Sequence, residues 1–531
     1  MARKQTTDKA RSARRGSAVP LALALDPEAV EPLQRQLYAA LRGAILEGRL
    51  APGIRLPGTR GLAESLDVSR TTVALVFDQL RAEGYLRGQQ RRGTFVAHVV
   101  PDDHLRARPG GEPPAACRPA LARSRAAGPI VPADVESSRP QTSHRGRLLA
   151  SLSVTSSPMH GVTGARAFRL GTPALDHFPL QLWGRLLARR WRRLTAAQLA
   201  YAEPHGHPPL RAAIAEYLRQ ARAVNCDERQ VIVVSGAQQA FDLCARVLLD
   251  PGDVAAIEDP GYRGTRAALL AAGAALAPIP VDADGLDVAA LDALAVTPRL
   301  ACVTPSHQFP LGVTLSAARR LALLQWARRR GAWVVEDDFD SEYRFRGRPL
   351  PSLQGMDLEG RVVYVGTFSK TLFPALRLGY VVVPPELVEP FAQARAAVDR
   401  HPSSLEQAVV ADFIAEGHFA RHVRRMRGLY AERQDTLLRL LAERASSWLE
   451  AQPVDAGMHL VGWLHAGHDD AALARAAHAR GVVVSPLGAL SIVPRSRGAL
   501  LLGFAGFDAP VMTRAIEVLC EVVRDSSRDP A

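Results

Sequence analysis

Apolar residues recur at helical spacing from Pro32 to Leu46 (Leu33, Leu37, Leu41, Ile45), and Gly48 closes the run. After a short turn, LAPGIRLPGTR, a second stripe of Leu62, Ala63 and Leu66 predicts another helix. Asp67-Val68-Ser69 then breaks the chain and supplies an N-cap. A third helix is predicted from Arg70 to about Glu83, with Val73, Val76, Phe77 and Leu80 inward and Gly84 as its stop. Tyr85-Leu86 and Gly93-Thr94-Phe95-Val96 read as two short strands joined by the basic loop RGQQRR. From about Ala165 the rhythm changes: the apolar runs Val231–Val234, Val254–Ile257, Leu300–Thr304, Trp333–Glu336, Val362–Val365 and Tyr380–Val383 alternate with helical stretches. That alternation predicts an α/β domain around a mainly parallel sheet, with ligand-binding residues just after the strands.

Between these two patterns, residues 99–160 are dominated by Pro, Ala, Gly, Ser and Arg, with nine prolines from Pro101 to Pro158. Such a segment reads as a linker that buries too little apolar surface to pack. Residues 1–27 read as a flexible basic arm, 28–98 as a compact unit of three helices and a basic hairpin, and 161–531 as the α/β body.

Composition sharpens this picture. A chain of 531 residues, 47% hydrophobic and 22% charged, is expected to hold two or three soluble globular domains. The net charge of +13 points to an anionic partner, nucleic acid first. Five scattered cysteines without a CxxC pattern indicate a reducing cytoplasm rather than a disulfide framework or zinc site. The apolar run Ala18–Leu25 is too short for a signal peptide, and no run approaches the ~18 residues of a membrane helix, so the expected location is cytoplasmic.

The 66 Lys+Arg include only three lysines: Lys4, Lys9 and Lys370. Arginine serves for solubility, but its guanidinium stays protonated and cannot attack a carbonyl. Lys370, the single lysine of the body, is therefore the candidate Schiff-base nucleophile, against the blander reading of a leftover surface lysine. Three further strand ends carry matching chemistry. Ser235-Gly236-Ala237-Gln238 opens a helix and can cradle an anion. Tyr262 in EDPGY can stack on a flat ring or simply cap the core. Glu336-Asp337-Asp338-Phe339-Asp340 offers one carboxylate for a protonated pyridine nitrogen, its other acids being solvated or structural. A metal reading of this acidic run leaves Lys370 unexplained and finds no histidine ligand nearby. Amine, pyridinium partner, aromatic and phosphate cradle together make a pyridoxal 5′-phosphate site.

In the first unit, Ser69, Arg70, Thr71 and Thr72 remain at the exposed N-terminus of the recognition helix once the apolar stripe is assigned to the core. Arg70 suits either a guanine edge or a phosphate. Residues 32–97, through PLQRQLYAALRGAILEGRLAPGIRLPGTRGLAESLDVSRTTV and RRGTFVA, resemble the winged helix-turn-helix of the GntR family of transcription regulators. The resemblance implies DNA contacts at Arg60, Ser69, Arg70, Thr71 and Gly93, in double-stranded promoter DNA. Two positions depart from the family pattern. Gly58 replaces a usual serine, which loosens a phosphate contact, and Arg92 replaces a small wing residue, which adds one.

Phe168 to Gly506 resembles fold-type I aminotransferases. More narrowly, YAEPHGHPPLRAAIAEYL, VSGAQQA, EDPGY, TPSHQFPLG, EDDFDSE and GTFSKTLFPALRLGY are similar to the MocR-type subgroup, GntR regulators fused to an aminotransferase-like domain. The implied architecture is a mainly α winged helix-turn-helix followed by an α/β pyridoxal-phosphate-dependent transferase fold with a small C-terminal subdomain. The resemblance implies an internal aldimine at Lys370, a ring-nitrogen contact from Asp337 and stacking by Tyr262. It also implies phosphate contacts from Gly236, Ala237, Gln238, Thr367, Ser369 and Arg377, and Tyr201 reaching the phosphate of the partner in a head-to-tail homodimer. Departures again stand out. Phe339 takes the place of a tyrosine that bonds the ring hydroxyl, His307 and Gln308 occupy the segment of an asparagine with the same task, and Leu501 replaces a carboxylate-gripping arginine unless Arg495 or Arg497 substitutes. The expected function is transcriptional regulation by an amine, an amino acid or the cofactor itself. The rival expectation is a working aminotransferase with an accessory DNA-binding domain.

Overall fold

The computed structural model describes residues 23, 25–27, 29, 31–89, 93–97, 142–152, 167–347 and 350–528. The chain divides into two compact units, Met1–Ala133 and Asp134–Ala531.

In the first unit the three expected helices form where the apolar periodicity places them: α1 (Leu33–Leu46), α2 (Thr59–Leu66) and α3 (Arg70–Ala82). Their inward residues Leu37, Leu41, Leu62, Val73, Val76 and Leu80 are fully buried and share one small core with Tyr85, Leu86 and Val96. Asp67 ends α2 in the left-handed conformation, and the Ser69 hydroxyl caps α3 by accepting the Thr72 amide at 3.0 Å. The wing is an antiparallel pair, β1 (Leu86–Gln89) and β2 (Gly93–Val96). The strand reaches further into the basic loop than the apolar pattern suggested, since Arg87 pairs with Phe95 and Gly88 with Thr94.

In the second unit, eight strands are joined in one sheet: β3 (Val231–Val234), β4 (Val254–Asp259), β5 (Ala275–Asp282), β6 (Gly285–Leu286), β7 (Leu300–Val303), β8 (Trp333–Asp338), β9 (Val362–Thr367) and β10 (Gly379–Val382). Their spatial order is β3-β10-β9-β8-β7-β4-β5-β6. The pairs β9–β8, β8–β7, β7–β4 and β4–β5 are parallel, while β10 runs antiparallel to both neighbours. β3 and β9 therefore point the same way, and the C-terminal ends of β3, β4, β7, β8 and β9 share one edge. Helices cover both faces, which is why these strands read as unbroken apolar runs. Val231 and Val233 face one core while Ile232 and Val234 face the other. β5 and β6 escaped the apolar pattern, because Pro278, Pro280 and small alanines dilute β5 at the sheet's edge.

A separate antiparallel sheet, β11 (Leu449–Ala451), β12 (His459–Leu464), β13 (Ser485–Pro486) and β14 (Ala499–Gly503), forms the expected small C-terminal subdomain in the order β11-β12-β14-β13. Its principal core joins Leu460, Leu500 and Leu502 to the long helix His418–Arg444. Within the segment read as linker, His144–Ser151 is a short helix capped by Ser143, with none of its residues buried. Most of the basic arm, Arg92 and the rest of the linker lie outside the described residues.

Candidate functional site

The edge formed by the strand ends gathers the chemistry. β9 delivers Thr367, whose hydroxyl accepts the Ser369 amide at 3.1 Å and starts a single helical turn, Phe368–Thr371. Lys370 leaves this turn half-buried, and its Nζ donates to the Gly171 carbonyl at 3.1 Å. Gly171 has φ +64°, a backbone conformation that favours glycine, and a β-carbon there would stand 2.2 Å from Nζ, so any larger residue would push the end of the lysine aside. Burial depresses the Lys370 pKa, while the charges of Asp340 and Asp337 push it back up. A depressed amine is the one able to shed its proton and attack a carbonyl.

Asp337 lies on the neighbouring β8, 8% exposed, and its Oδ1 is buried without a hydrogen-bond partner. Burial, then the charges of Asp338, Asp340 and Glu258, raise its pKa well above the carboxylate range. An orphaned buried carboxylate oxygen is costly unless a donor meets it, and a pyridinium N–H is such a donor. The other acids of this run are structural, not solvated. Glu336 accepts the amides of Leu353 and Gln354 at 2.8 Å each, and burial lifts its pKa to about 7. Asp338 holds the buried Arg222 guanidinium at 2.8 Å and the Tyr364 hydroxyl at 2.5 Å. Asp340 accepts from His307 Nδ1 at 3.0 Å.

After β3, Gly236 (φ +93°) caps the helix Ala237–Leu248, which has no acidic residue in its first turn. The Arg377 guanidinium reaches this turn, donating to the Ser235 carbonyl at 3.0 Å and lying 3.5 Å from where a Gly236 β-carbon would be. A helix N-terminus beside a guanidinium is an anion site. Gln238 instead donates its side-chain amide to the Gly264 carbonyl at 3.0 Å, tying the cradle to the next loop. In that loop Tyr262 stands 43% exposed at the end of β4, edge-to-face with Phe309 at 5.9 Å.

Gly236, Ala237, Gln238, Tyr262, Asp337, Thr367, Ser369, Lys370 and Arg377 thus stand on one sheet edge. Tyr201 is apart from them: it is 79% exposed, with the Arg400 guanidinium over its ring at 4.3 Å. Arg497, one of the two arginines open as a substitute at Leu501, is engaged elsewhere: it donates to the Leu464 carbonyl and Glu450 and lies over Trp463. The Gln308 amide nitrogen donates to Glu258, Pro260 and Phe309 oxygens. Sequence reasoning missed Gly171, Arg222 and the His307–Asp340 pair, which chain separation conceals.

In the winged-helix unit Arg60, Ser69, Arg70 and Thr71 are exposed and Thr72 half-exposed. The hydroxyls of Ser69 and Thr72 bond each other at 2.8 Å, so both serve the cap before any other partner. Arg55 was also overlooked: its guanidinium comes within 3.0 Å of a β-carbon built on Gly93, placing a cation beside the wing. Gly58 leaves α2 without a side-chain cap. No described helix is long and apolar enough to cross a membrane.

Fold and site together define a winged helix-turn-helix joined to an aminotransferase-type body. The family model for bacterial regulatory proteins of the gntR family matches residues 33–96, and that for aminotransferase class I and II matches residues 170–519. The probable rhizopine catabolism regulatory protein MocR of Rhizobium meliloti is 44% identical over 498 residues, covering 94% of this chain and 95% of that protein. The transcriptional regulator TauR of Rhodobacter capsulatus is 36% identical over 79% of this chain and 81% of its own length. Among solved structures, the alpha-aminoadipate aminotransferase LysN of Thermus thermophilus, complexed with N-(5′-phosphopyridoxyl)-L-leucine, is 30% identical with a TM-score of 0.63, covering 68% of this chain and 92% of its own. The chain belongs to the MocR-type transcriptional regulators of the GntR family.

Proposed function

We propose that this regulator holds pyridoxal 5′-phosphate at the Lys370 edge of its large sheet and uses it to sense an amine, an amino acid or the cofactor itself. The observation that carries the reading is the pairing of the lone body lysine with a buried carboxylate whose Oδ1 has no partner. When bound, the cofactor supplies an aldehyde for the amine and a protonated ring that draws electrons. Lys370 is the point of attachment, Asp337 Oδ1 holds the ring nitrogen, and Tyr262 covers a ring face. Gly236, Ala237, Gln238, Thr367, Ser369 and Arg377 grip the phosphate, and the exposed Tyr201 serves the partner of a head-to-tail homodimer. Arg60, Ser69, Arg70, Thr71, Thr72 and Gly93 face double-stranded DNA, and Arg92, outside the described residues, is a further contact by sequence. The domain limits that fit this division of labour are 28–98 for the DNA-binding unit and 161–531 for the body, joined by 99–160.

Sensing requires that the ligand bind two states of the protein with different affinity. The decisive measurement is affinity for DNA from upstream of its own gene, at fixed salt, with and without pyridoxal phosphate. A specific complex whose affinity changes with cofactor is expected. In Lys370→Ala both the cofactor's protein-bound absorbance band and that change should vanish, while cofactor-free DNA affinity stays within about twofold. Absence of specific binding in either state would sink the regulator reading.

A further inference from the structure

The lone helical turn that carries Lys370, Phe368–Thr371, fixes many dihedral angles for few hydrogen bonds and is weak support on its own. Two buried tyrosines from distant parts of the body supply more. The Lys370 carbonyl accepts the Tyr343 hydroxyl at 3.1 Å, from the turn Ser341–Tyr343 that follows β8. The Tyr343 ring meets that of Tyr430 edge-to-face at 4.7 Å, both side chains are fully buried, and their hydroxyls are hydrogen-bonded. Tyr430 stands on the long helix His418–Arg444, and its oxygen accepts the Ala174 amide at 3.0 Å. The segment holding Ala174 also holds Gly171, whose carbonyl accepts Lys370 Nζ at 3.1 Å. These bonds close a ring through Ala174, Tyr430, Tyr343, the Lys370 main chain, its side chain and Gly171.

The donors in the ring can be arranged in one order. A carbonyl only accepts, so Tyr343 donates to Lys370 and accepts from Tyr430, which accepts in turn from the Ala174 amide. The segment is pinned at its other end as well, where Gly503 of β14 donates its amide to the Phe168 carbonyl at 2.9 Å. Between these anchors the Gly171 carbonyl is aimed at Nζ. An aimed carbonyl favours the ammonium form of the lysine over the free amine, against the burial that favours the amine. The charged or titratable groups that face Nζ are Asp337 and Asp340, which also favour the ammonium, and His459 of β12, kept neutral by burial with its pKa lowered to about 4.

Resting on the reading of Lys370 as the amine that holds the cofactor, we propose that Tyr343 and Tyr430 are its positioning residues. Acting in series, they set where Nζ lies against the Gly171 carbonyl, and so how readily the amine reacts. The test is competitive labelling of the cofactor-free full chain with trace acetic anhydride across a pH series. Lys4 and Lys9, the only other lysines, are reference amines in the same digest. In Tyr343→Phe and in Tyr430→Phe the midpoint of the Lys370 profile should fall by about half to one pH unit, because the ammonium loses an aimed acceptor. Below the midpoint, labelling and the growth of the bound absorbance band on adding pyridoxal phosphate should both quicken by about threefold to tenfold. The double variant should match either single one, since one broken link opens the ring. Ala174→Pro removes the amide with both tyrosines intact, at a residue whose φ is already −73°, and should act as they do. Tyr217→Phe, which takes a hydroxyl from Glu342 at 3.3 Å, should leave the midpoint in place. An unmoved midpoint in the ring variants, a rise of the plateau alone, or effects that add in the double variant would overturn the proposal. Absence of any Lys370-dependent band instead overturns the proposed function, while the labelling profile still judges the ring.

Discussion

In the winged-helix unit the charged residues stand outside a small apolar core, whereas in the body they lie inside a large one. Arg60, Arg70 and Thr71 are exposed, and the ion pair Arg81–Asp78 on α3 has side chains 40% and 71% exposed. Around Lys370, by contrast, Glu258, Glu336, Asp337, Asp338 and Asp340 are all buried, and Arg222 with them. The difference follows from the ligands. DNA is a polyanion met at a surface, where water stays and exposed cations suffice. On the proposed function, a cofactor ring and an amine are met in a cleft, where dry surroundings make each unpaired charge decisive.

The largest effect expected from this contrast comes from Asp338→Ala. It would strand the Arg222 guanidinium in the interior and lower the stability of the body by about 3–5 kcal/mol. The equivalent removal on the surface, Asp78→Ala beside Arg81, should change the winged-helix unit by less than about 0.5 kcal/mol. Urea midpoints, read by tryptophan emission for the body and by DNA binding for the smaller unit, check both. Equal losses at the two sites would erase the distinction between them.

The next effect is one of pH. Glu258 is buried and accepts from the Thr304 amide at 3.1 Å, its hydroxyl at 2.6 Å and Gln308 at 3.1 Å, yet burial raises its pKa to about 7. A carboxyl whose folded pKa exceeds its unfolded value keeps its proton longer in the native state. The native state then binds more protons than the unfolded chain between about pH 4.5 and 7, so stability falls as pH rises through that window. Nothing in the winged-helix unit has such a carboxylate among its described residues. Glu258→Gln removes one of the titrations in this window, Glu336 keeping another, and should reduce the fall of the body's stability by up to about 3 kcal/mol at pH 8 relative to pH 4.5. A curve as steep as the native one would show that Glu258 is ionised in the folded protein throughout.

The same contrast explains what could be read from the sequence. α1, α2, α3 and six strands of the large sheet were legible because each is written locally, as a stripe of period 3.6 or a run of valines. Lys370, Asp337, Tyr262 and the Gly236 turn were legible because a strand end announces them. Hidden were the partners that only the fold brings in: Gly171, 199 residues before the lysine it accepts from, and Arg222, 116 residues before Asp338. The solvated reading of the acidic run was open in the sequence because four carboxylates in five residues ordinarily belong on a surface. Burial and distant donors, not spacing, decide their role. The engagement of Arg497 was likewise hidden, since Trp463 and Glu450 claim it across the small sheet.

The smallest effect tests the surface half of the comparison on its own terms, through the two helices of the DNA-facing pair. α3 is capped by a hydroxyl, with Ser69 Oγ accepting the Thr72 amide at 3.0 Å, while α2 begins at Gly58 with no side-chain cap. Ser69→Ala should cost about 1 kcal/mol, because an amide at the start of α3 loses its acceptor; Gly58→Ser should gain only a few tenths. Both residues stand at exposed helix N-termini, where phosphates also seek the same amides. The two substitutions therefore separate folding from binding. If Ser69 acts chiefly as a cap, Ser69→Ala lowers the thermal midpoint and weakens DNA in proportion to the fraction unfolded. If its hydroxyl also meets DNA, affinity falls further than stability explains, and a salt titration distinguishes the cases. Loss of a neutral hydroxyl leaves the slope of log affinity against log salt unchanged, whereas Arg70→Ala should reduce it by about one charge. A slope that changes for Ser69→Ala but not for Arg70→Ala would mean that the exposed end of α3 is not the part that meets phosphate.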